Sequence, residues 1–269
     1  SPMSRGLGDV YKRQDLYSAS FNPETEITIT AGATQALFSA IAAVVQEGDE
    51  VIVFEPAYDS YVPAIKLNGG IPIFMELEAP EYKIDWDKVK SRISHRTRLI
   101  IINTPHNPTG AALNAFDMMQ LEKLTSESDI MILSDEVYEH ILFDGYEHQS
   151  VLRFPKLAER SFVVFSVGKT YHNTGWKVGY CLAPEAMMKE FRKVHQFIVF
   201  TVNTPVQMAL SEIIREKEHY LELNTFYQEK RDTFNRLIQG SRFEVRPSKG
   251  TYFPVSYTHL ALPTNGCVV

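Results

Sequence analysis

Cysteine, segregated charge and long apolar stretches are all scarce in this sequence, and each scarcity removes a class of protein. Two cysteines, Cys181 and Cys267, cannot build a disulfide scaffold or a cysteine-based zinc ribbon, and they fit a reducing, cytoplasmic compartment. The 27 Lys and Arg residues are scattered among 33 Asp and Glu, leaving a formal charge of −6 with no run of five like charges. Such a surface does not draw nucleic-acid phosphates. The longest strongly apolar runs, such as Leu99 to Ile102 and Phe162 to Phe165, are strand-length, so no transmembrane helix and no membrane role is expected. Ser1 to Gln14 lacks the apolar core of a secretory signal. His106, His140, His148 and His172 show no metal-ligand spacing, and no H-E-x-x-H occurs, so these histidines read as structural.

What is present is a chain of 269 residues, 44% hydrophobic and 22% charged, enough for one large domain or one and a half. Residues 1–14 and 255–269 look like translated sequencing-adapter read-through, so they are expected to be non-native tails. Between them, short apolar runs alternate with helical patterns. Strands are expected at Ile27–Ala31, Glu50–Phe54, Ile71–Met75, Arg98–Ile102, Ile130–Leu133, Phe162–Phe165 and Val178–Leu182. Helices are expected at Ala33–Gln46, Tyr58–Leu67, from the cap Asp85 to Ile93, Asn114–Ser126 and Glu136–Ile141. From Pro184 to Gln239 the pattern turns helical, with a break near Thr204-Pro205. Continuous apolar runs separated by helices predict an α/β fold, a mostly parallel sheet covered on both faces. The organisation reads as a large domain over residues 15–200 and a helical connection opening a second domain over residues 201–254.

Ligands of open α/β sheets sit outside the carboxyl ends of the strands. Those ends carry Gly32-Ala33-Thr34, Glu55-Pro56-Ala57-Tyr58, Asn103 to Gly110, Ser134 to Tyr138 and Ser166 to Thr170. Small hydrogen-bonding residues, an Asp, a Tyr and a Lys would therefore share one rim. Each has a plainer reading: Asp135 also suits a helix cap, Asn107-Pro108-Thr109-Gly110 a turn, and Lys169 a surface lysine. Gly168-Lys169-Thr170 fails as a phosphate-binding P-loop, because the required earlier glycine is Val163.

Taken together, five segments resemble one family. They are Ala31 to Leu37; Asn103-x-Pro-x-Asn107-Pro108-Thr109-Gly110; Asp135-Glu136-Val137-Tyr138; Ser166-x-x-Lys169 running on to Gly175-Trp176-Lys177-Val178-Gly179; and Glu55 to Tyr61. The family is the fold-type I, class I/II aminotransferases, and the methionine and kynurenine (glutamine-phenylpyruvate) branch is the most similar. The resemblance implies pyridoxal 5′-phosphate as cofactor and ping-pong transfer of an amino group from an L-amino acid to a 2-oxo acid. It implies that Lys169 anchors the cofactor aldehyde and then serves as general base and acid. Asp135 matches the carboxylate paired with the pyridine nitrogen. Tyr138 and Asn107 match the partners of the phenolate oxygen, and Tyr58 the aromatic stacked on the ring. Ala33, Thr34, Ser166 and Lys177 match the phosphate cup.

The resemblance also implies a homodimer, with the aromatic run around Phe197 and Phe200 either near the interface or packed in the monomer core. It places cis peptides at Glu55-Pro56 and Asn107-Pro108. The family's arginine for the substrate carboxylate would follow Phe253, where the sequence becomes adapter-like, and residues expected upstream of Asp15 are also absent. The small C-terminal domain is therefore expected to be largely missing and the chain's turnover impaired. Two other activities fit the same motifs: a carbon–sulfur β-lyase, and a ligand-sensing domain of a transcription regulator.

Overall fold

The computed structural model describes residues 16–214, 216–246 and 248–258; the expected non-native stretch over residues 1–14, most of that over 255–269 and Cys267 lie outside the described residues. The alternation expected from sequence is realised as β1 (Ile27–Thr30), α1 (Ala33–Val44), β2 (Glu50–Glu55), α2 (Tyr61–Leu67), β3 (Ile71–Glu76), α3 (Trp86–Arg92), β4 (Thr97–Asn103), α4 (Ala115–Thr125) and β5 (Met131–Asp135). There follow α5 (Pro155–Ala158), β6 (Ser161–Ser166), α6 (Val167–Thr170) and β7 (Gly179–Leu182). Four helices come next, α7 (Glu185–Ile198), α8 (Thr204–Ile213), α9 (Lys217–Leu221) and α10 (Leu223–Ile238), before a hairpin of β8 (Phe243–Arg246) and β9 (Val255–Thr258).

The seven-stranded sheet has the order β1-β7-β6-β5-β4-β2-β3. Strands β3, β2, β4, β5 and β6 pair in parallel, while β7 runs antiparallel between β6 and β1. The apolar runs lack polar alternation because both faces are covered. In β4, Ile100 and Ile102 join one core with Ile52, Ile132 and Val163, while Leu99 and Ile101 join another with Val51, Leu133 and Phe162. Helix starts follow their caps. Asp85 Oδ1 accepts from the Asp87 and Lys88 amides, and Asn114 with Asp117 forms a reciprocal capping box.

Two expectations are corrected. Helix α2 begins at Tyr61 rather than Tyr58, since residues 56–60 form an irregular connection. No helix covers Glu136–Ile141; the segment makes turns, because Glu136 is fully buried and its carboxylate is tied to neighbours. Its oxygens accept from the Ser134 hydroxyl (2.7 Å) and the Val151 amide (3.1 Å) and bond His148 Nε2 (2.8 Å). The sheet is mostly parallel, as expected, with β7 reversed. The peptides before Pro56 and Pro108 are cis, as expected, and so are those before Pro80 and Pro105. Among the described residues no helix is long and apolar enough to cross a membrane.

Candidate active site

The site grows out of one register. Asn103 at the end of β4 pairs with Asp135 at the end of β5, so the two strands stop level with each other. The Asn103 amide then works in both directions: Nδ2 donates to the Asp135 carbonyl (2.8 Å), and Oδ1 accepts from the Asn107 amide (2.7 Å). That clamp folds the loop bearing Asn107 back over the strand ends. Asp135 is 3% exposed, and its Oδ2 accepts the Tyr61 phenol proton at 2.6 Å. Burial pushes its carboxyl up to about 6, against the hydrogen bond from Tyr61. His106 is placed differently: Nδ1 lies 2.7 Å from Thr109 Oγ1, and burial lowers its pKa to about 4. It is neutral at pH 7 and holds the loop.

Across the cavity lies the start of α1. Gly32 occupies the N-cap with φ 80° and no side chain to cap the helix, so the first amides are left for another acceptor. Gly179 lets this turn lie against the sheet: a Cβ there would sit 2.9 Å from Ala33 N and 2.7 Å from Phe165 O. Lys177 holds a left-handed backbone (φ 52°) at the end of a short helical turn, Thr174–Trp176. That conformation is uncommon for a residue with a Cβ. It sends the Lys177 ammonium alongside Gly32, 3.3 Å from where a Cβ on that glycine would stand. Thr34 Oγ1 lies 3.2 Å from the Tyr58 hydroxyl, which links the helix start to the β2–α2 connection.

Lys169 sits in α6, at the exit of β6. Its Nζ donates to the Tyr252 hydroxyl at 2.8 Å and lies 5.5 and 5.4 Å from the Tyr138 and Tyr252 ring centres. Tyr138 is buried, and desolvation with the neighbouring Tyr252 and Asp135 holds its phenol protonated. Tyr252 reaches the site because its segment is stitched to the loops carrying Gly110 and Ile141. The Lys249 and Gly250 amides donate to the Gly110 carbonyl, and the Thr251 amide to Ile141.

All nine residues singled out from sequence, Ala33, Thr34, Tyr58, Asn107, Asp135, Tyr138, Ser166, Lys169 and Lys177, line one cavity of about 280 Å³. Sequence reasoning missed Asn103, Tyr61, Thr174, Tyr252 and Phe253. Phe253 and Thr174 line the cavity; the other three hold residues that do. Tyr61 stood in the Glu55–Tyr61 segment and lies a helical turn from Tyr58, a usable signal; nothing local marks Tyr252. Among the described residues, no cluster of His, Cys, Asp and Glu could hold a metal ion.

The donor set fits pyridoxal phosphate. An uncapped helix start with a lysine beside it suits a phosphate. A buried carboxylate whose hydrogen-bond donors, the Tyr61 phenol and the Val137 amide, are both neutral suits a protonated ring nitrogen. The amine of Lys169 lines the same cavity and suits an aldehyde.

Comparisons with known proteins agree. Residues 7–261 match the family model for aminotransferase class I and II. The chain is 50% identical over 243 residues to the methionine aminotransferase of Escherichia coli, covering 90% of this chain and 63% of that protein. It is 36% identical to the kynurenine–oxoglutarate transaminase of Dictyostelium discoideum, covering 93% of this chain and 61% of the relative. The chain thus spans somewhat under two thirds of the length of these relatives. Among solved structures, an Escherichia coli protein with a methionine aminotransferase function superposes with a TM-score of 0.92 at 47% identity, covering 94% of this chain and 68% of that one. The N-succinyldiaminopimelate aminotransferase of Mycobacterium tuberculosis superposes at 0.89 and 31% identity, covering 93% and 66%. With the mostly parallel sheet and the shared cavity, these matches show that the chain belongs to the class I and II aminotransferases of fold type I, whose cofactor is pyridoxal 5′-phosphate.

Proposed function

We propose that this chain is the cofactor-binding part of an aminotransferase that moves the amino group of an L-amino acid to a 2-oxo acid. One observation carries the reading: a single cavity holds the Lys169 amine, the buried Asp135 carboxylate and an uncapped helix start beside Lys177. When bound, pyridoxal phosphate supplies an aldehyde that captures amines and a ring that accepts the electron pair left at the substrate α-carbon.

The protein's own groups do the rest. The Ala33 amide, the Thr34 and Ser166 hydroxyls and the Lys177 ammonium bind the phosphate. Asp135 keeps a proton on the ring nitrogen, so the ring stays an electron acceptor. Tyr138 and Asn107 donate to the phenolate oxygen, and Tyr58 covers the ring face. Lys169 would anchor the cofactor, and its Nζ, as a free amine, would serve as the general base for the proton of the substrate's α-carbon.

The relatives' methionine and kynurenine specificities, with Tyr58, Tyr138 and Phe253 around the cavity, favour methionine or an aromatic amino acid as donor. Homodimeric assembly belongs to the same reading. Phe197 and Phe200 are 85% and 74% exposed, so they are not packed in the monomer core and are available to a second copy. A cytoplasmic location fits the buried free thiol of Cys181.

The test is a visible spectrum after adding pyridoxal phosphate, then borohydride reduction and peptide mapping. The expected result is a new visible band and a reduced adduct on Lys169, both lost in Lys169→Ala. A band that survives Lys169→Ala, or an adduct spread over several lysines, would overturn the assignment.

A further inference from the structure

Tyr61 stands behind the cavity wall rather than in it. It opens α2, is 3% exposed and packs in the core beside Ile65 and Ile101. Tyr58, one turn earlier, faces the cavity; the two rings meet edge to face at 5.6 Å. The Tyr61 phenol donates to Asp135 Oδ2 at 2.6 Å, whereas Oδ1 receives only a 3.3 Å bond from the Val137 amide.

We propose that Tyr61 is a positioning residue that keeps Asp135 ionised and aimed into the cavity through this short hydrogen bond. Its purpose, holding a carboxylate ready for the cofactor's ring nitrogen, rests on the aminotransferase reading. The coupling between the two side chains does not.

The charge balance around Asp135 shows why the bond matters. Burial and the neighbouring Glu136 favour the neutral acid; Tyr61, the Val137 amide and Lys169 favour the carboxylate. The outcome is a carboxyl raised to about 6, below neutrality but close to it, and Tyr61 is the foremost of the groups opposing burial. Tyr61 itself stays protonated, because burial and the adjacent carboxylate raise its pKa well above the usual phenol range, so it donates at every working pH. Without the phenol, Asp135 is about half neutral at pH 7 and mostly neutral at pH 6, and in the neutral form it cannot hold a protonated ring.

The test follows the Asp135 carboxyl directly, by carbon NMR of the cofactor-free chain carrying labelled aspartate, with Asp135→Asn to assign the signal. Tyr61→Phe keeps the ring and removes the donor. Its Asp135 midpoint is expected to rise by about one pH unit, which corresponds to about a tenfold change in the carboxyl's dissociation constant. Pyridoxal phosphate affinity should fall about fivefold at pH 6 and about twofold at pH 7, and recover by pH 8.5 as the carboxylate re-forms. A packing defect alone would not reverse with pH. If Tyr61→Phe fails to fold, 3,5-difluorotyrosine at position 61 preserves the shape with a stronger donor, and the midpoint should move down. An Asp135 midpoint unmoved by these changes overturns the inference. A moved midpoint in a chain that forms no adduct on Lys169 supports the Tyr61–Asp135 coupling and overturns the aminotransferase reading.

Discussion

Gly179→Ala should damage stability and anion binding in one stroke. Gly179 is paired on both sides, opposite Thr30 of β1 and Ser166 of β6, so its strand cannot slide away. A methyl group there would lie 2.7 Å from the Phe165 carbonyl oxygen and 2.9 Å from both Ala33 N and Gly32 C, all backbone atoms. Ordinary contact begins at 3.4 Å, so the start of α1 must retreat by about half an ångström. Overpacking of this kind costs about 2–3 kcal/mol. The retreating amide is the Ala33 donor assigned to the phosphate, and a hydrogen bond to a charged group is worth about 1.5–3 kcal/mol, or roughly a 10- to 100-fold loss of affinity. Urea unfolding of the cofactor-free protein reads the first effect, and titration with pyridoxal phosphate, followed by absorbance, reads the second. Gly175→Ala is the control, because a Cβ there meets nothing within 4 Å and its stability should stay within about 0.5 kcal/mol. Equal unfolding midpoints for the two variants would refute the steric argument. A destabilised Gly179→Ala with unchanged cofactor affinity would refute the link between this glycine and the anion site.

Asp135→Asn separates stability from binding. The folded-state pKa of Asp135 is raised from 3.8 to about 6, so the carboxyl's contribution is intact below pH 4 and lost as pH rises through 6, at a cost of up to about 3 kcal/mol. The variant without cofactor should therefore be more stable than the parent at pH 7 and equal to it near pH 4, while binding cofactor less well; parallel stability profiles across that range would sink the argument. Phe197→Glu combined with Phe200→Ser should convert dimers to monomers in sedimentation velocity with unchanged helical circular dichroism, since both rings are largely exposed in the single chain. A dimeric variant would show that another surface holds the subunits.

The strands were legible wherever the sheet is buried on both faces. β4 reads as an unbroken apolar run because successive residues enter different cores, and the same run says nothing of strand direction. β7 shows the limit: its apolar composition marks a strand, but its reversal depends on how the chain returns through α6 and the Thr174–Trp176 turn. The missing helix after Asp135 has a similar origin. Local propensity suggested it, and the burial of Glu136 against Ser134, His148 and Val151 overrode that propensity with partners up to 15 residues away.

The cavity divides along the same line. The nine lining residues chosen from sequence were recognisable because nearly all of them closely follow a strand and carry side chains or amides suited to an anion, an amine or an aromatic ring. The residues that hold them in place were not. Asn103 acts on Asp135 and Asn107 only because β4 and β5 pair in a register that brings Asn103 level with Asp135. Tyr252 reaches Lys169 from 83 positions further along the chain, across a segment fastened at Gly110 and Ile141. Tyr61 lies between these cases: its helical spacing from Tyr58 is visible, but its partner is 74 positions away. Residue chemistry therefore reports what the cavity offers a ligand, and the tertiary register decides how those groups are oriented and which charge states they keep.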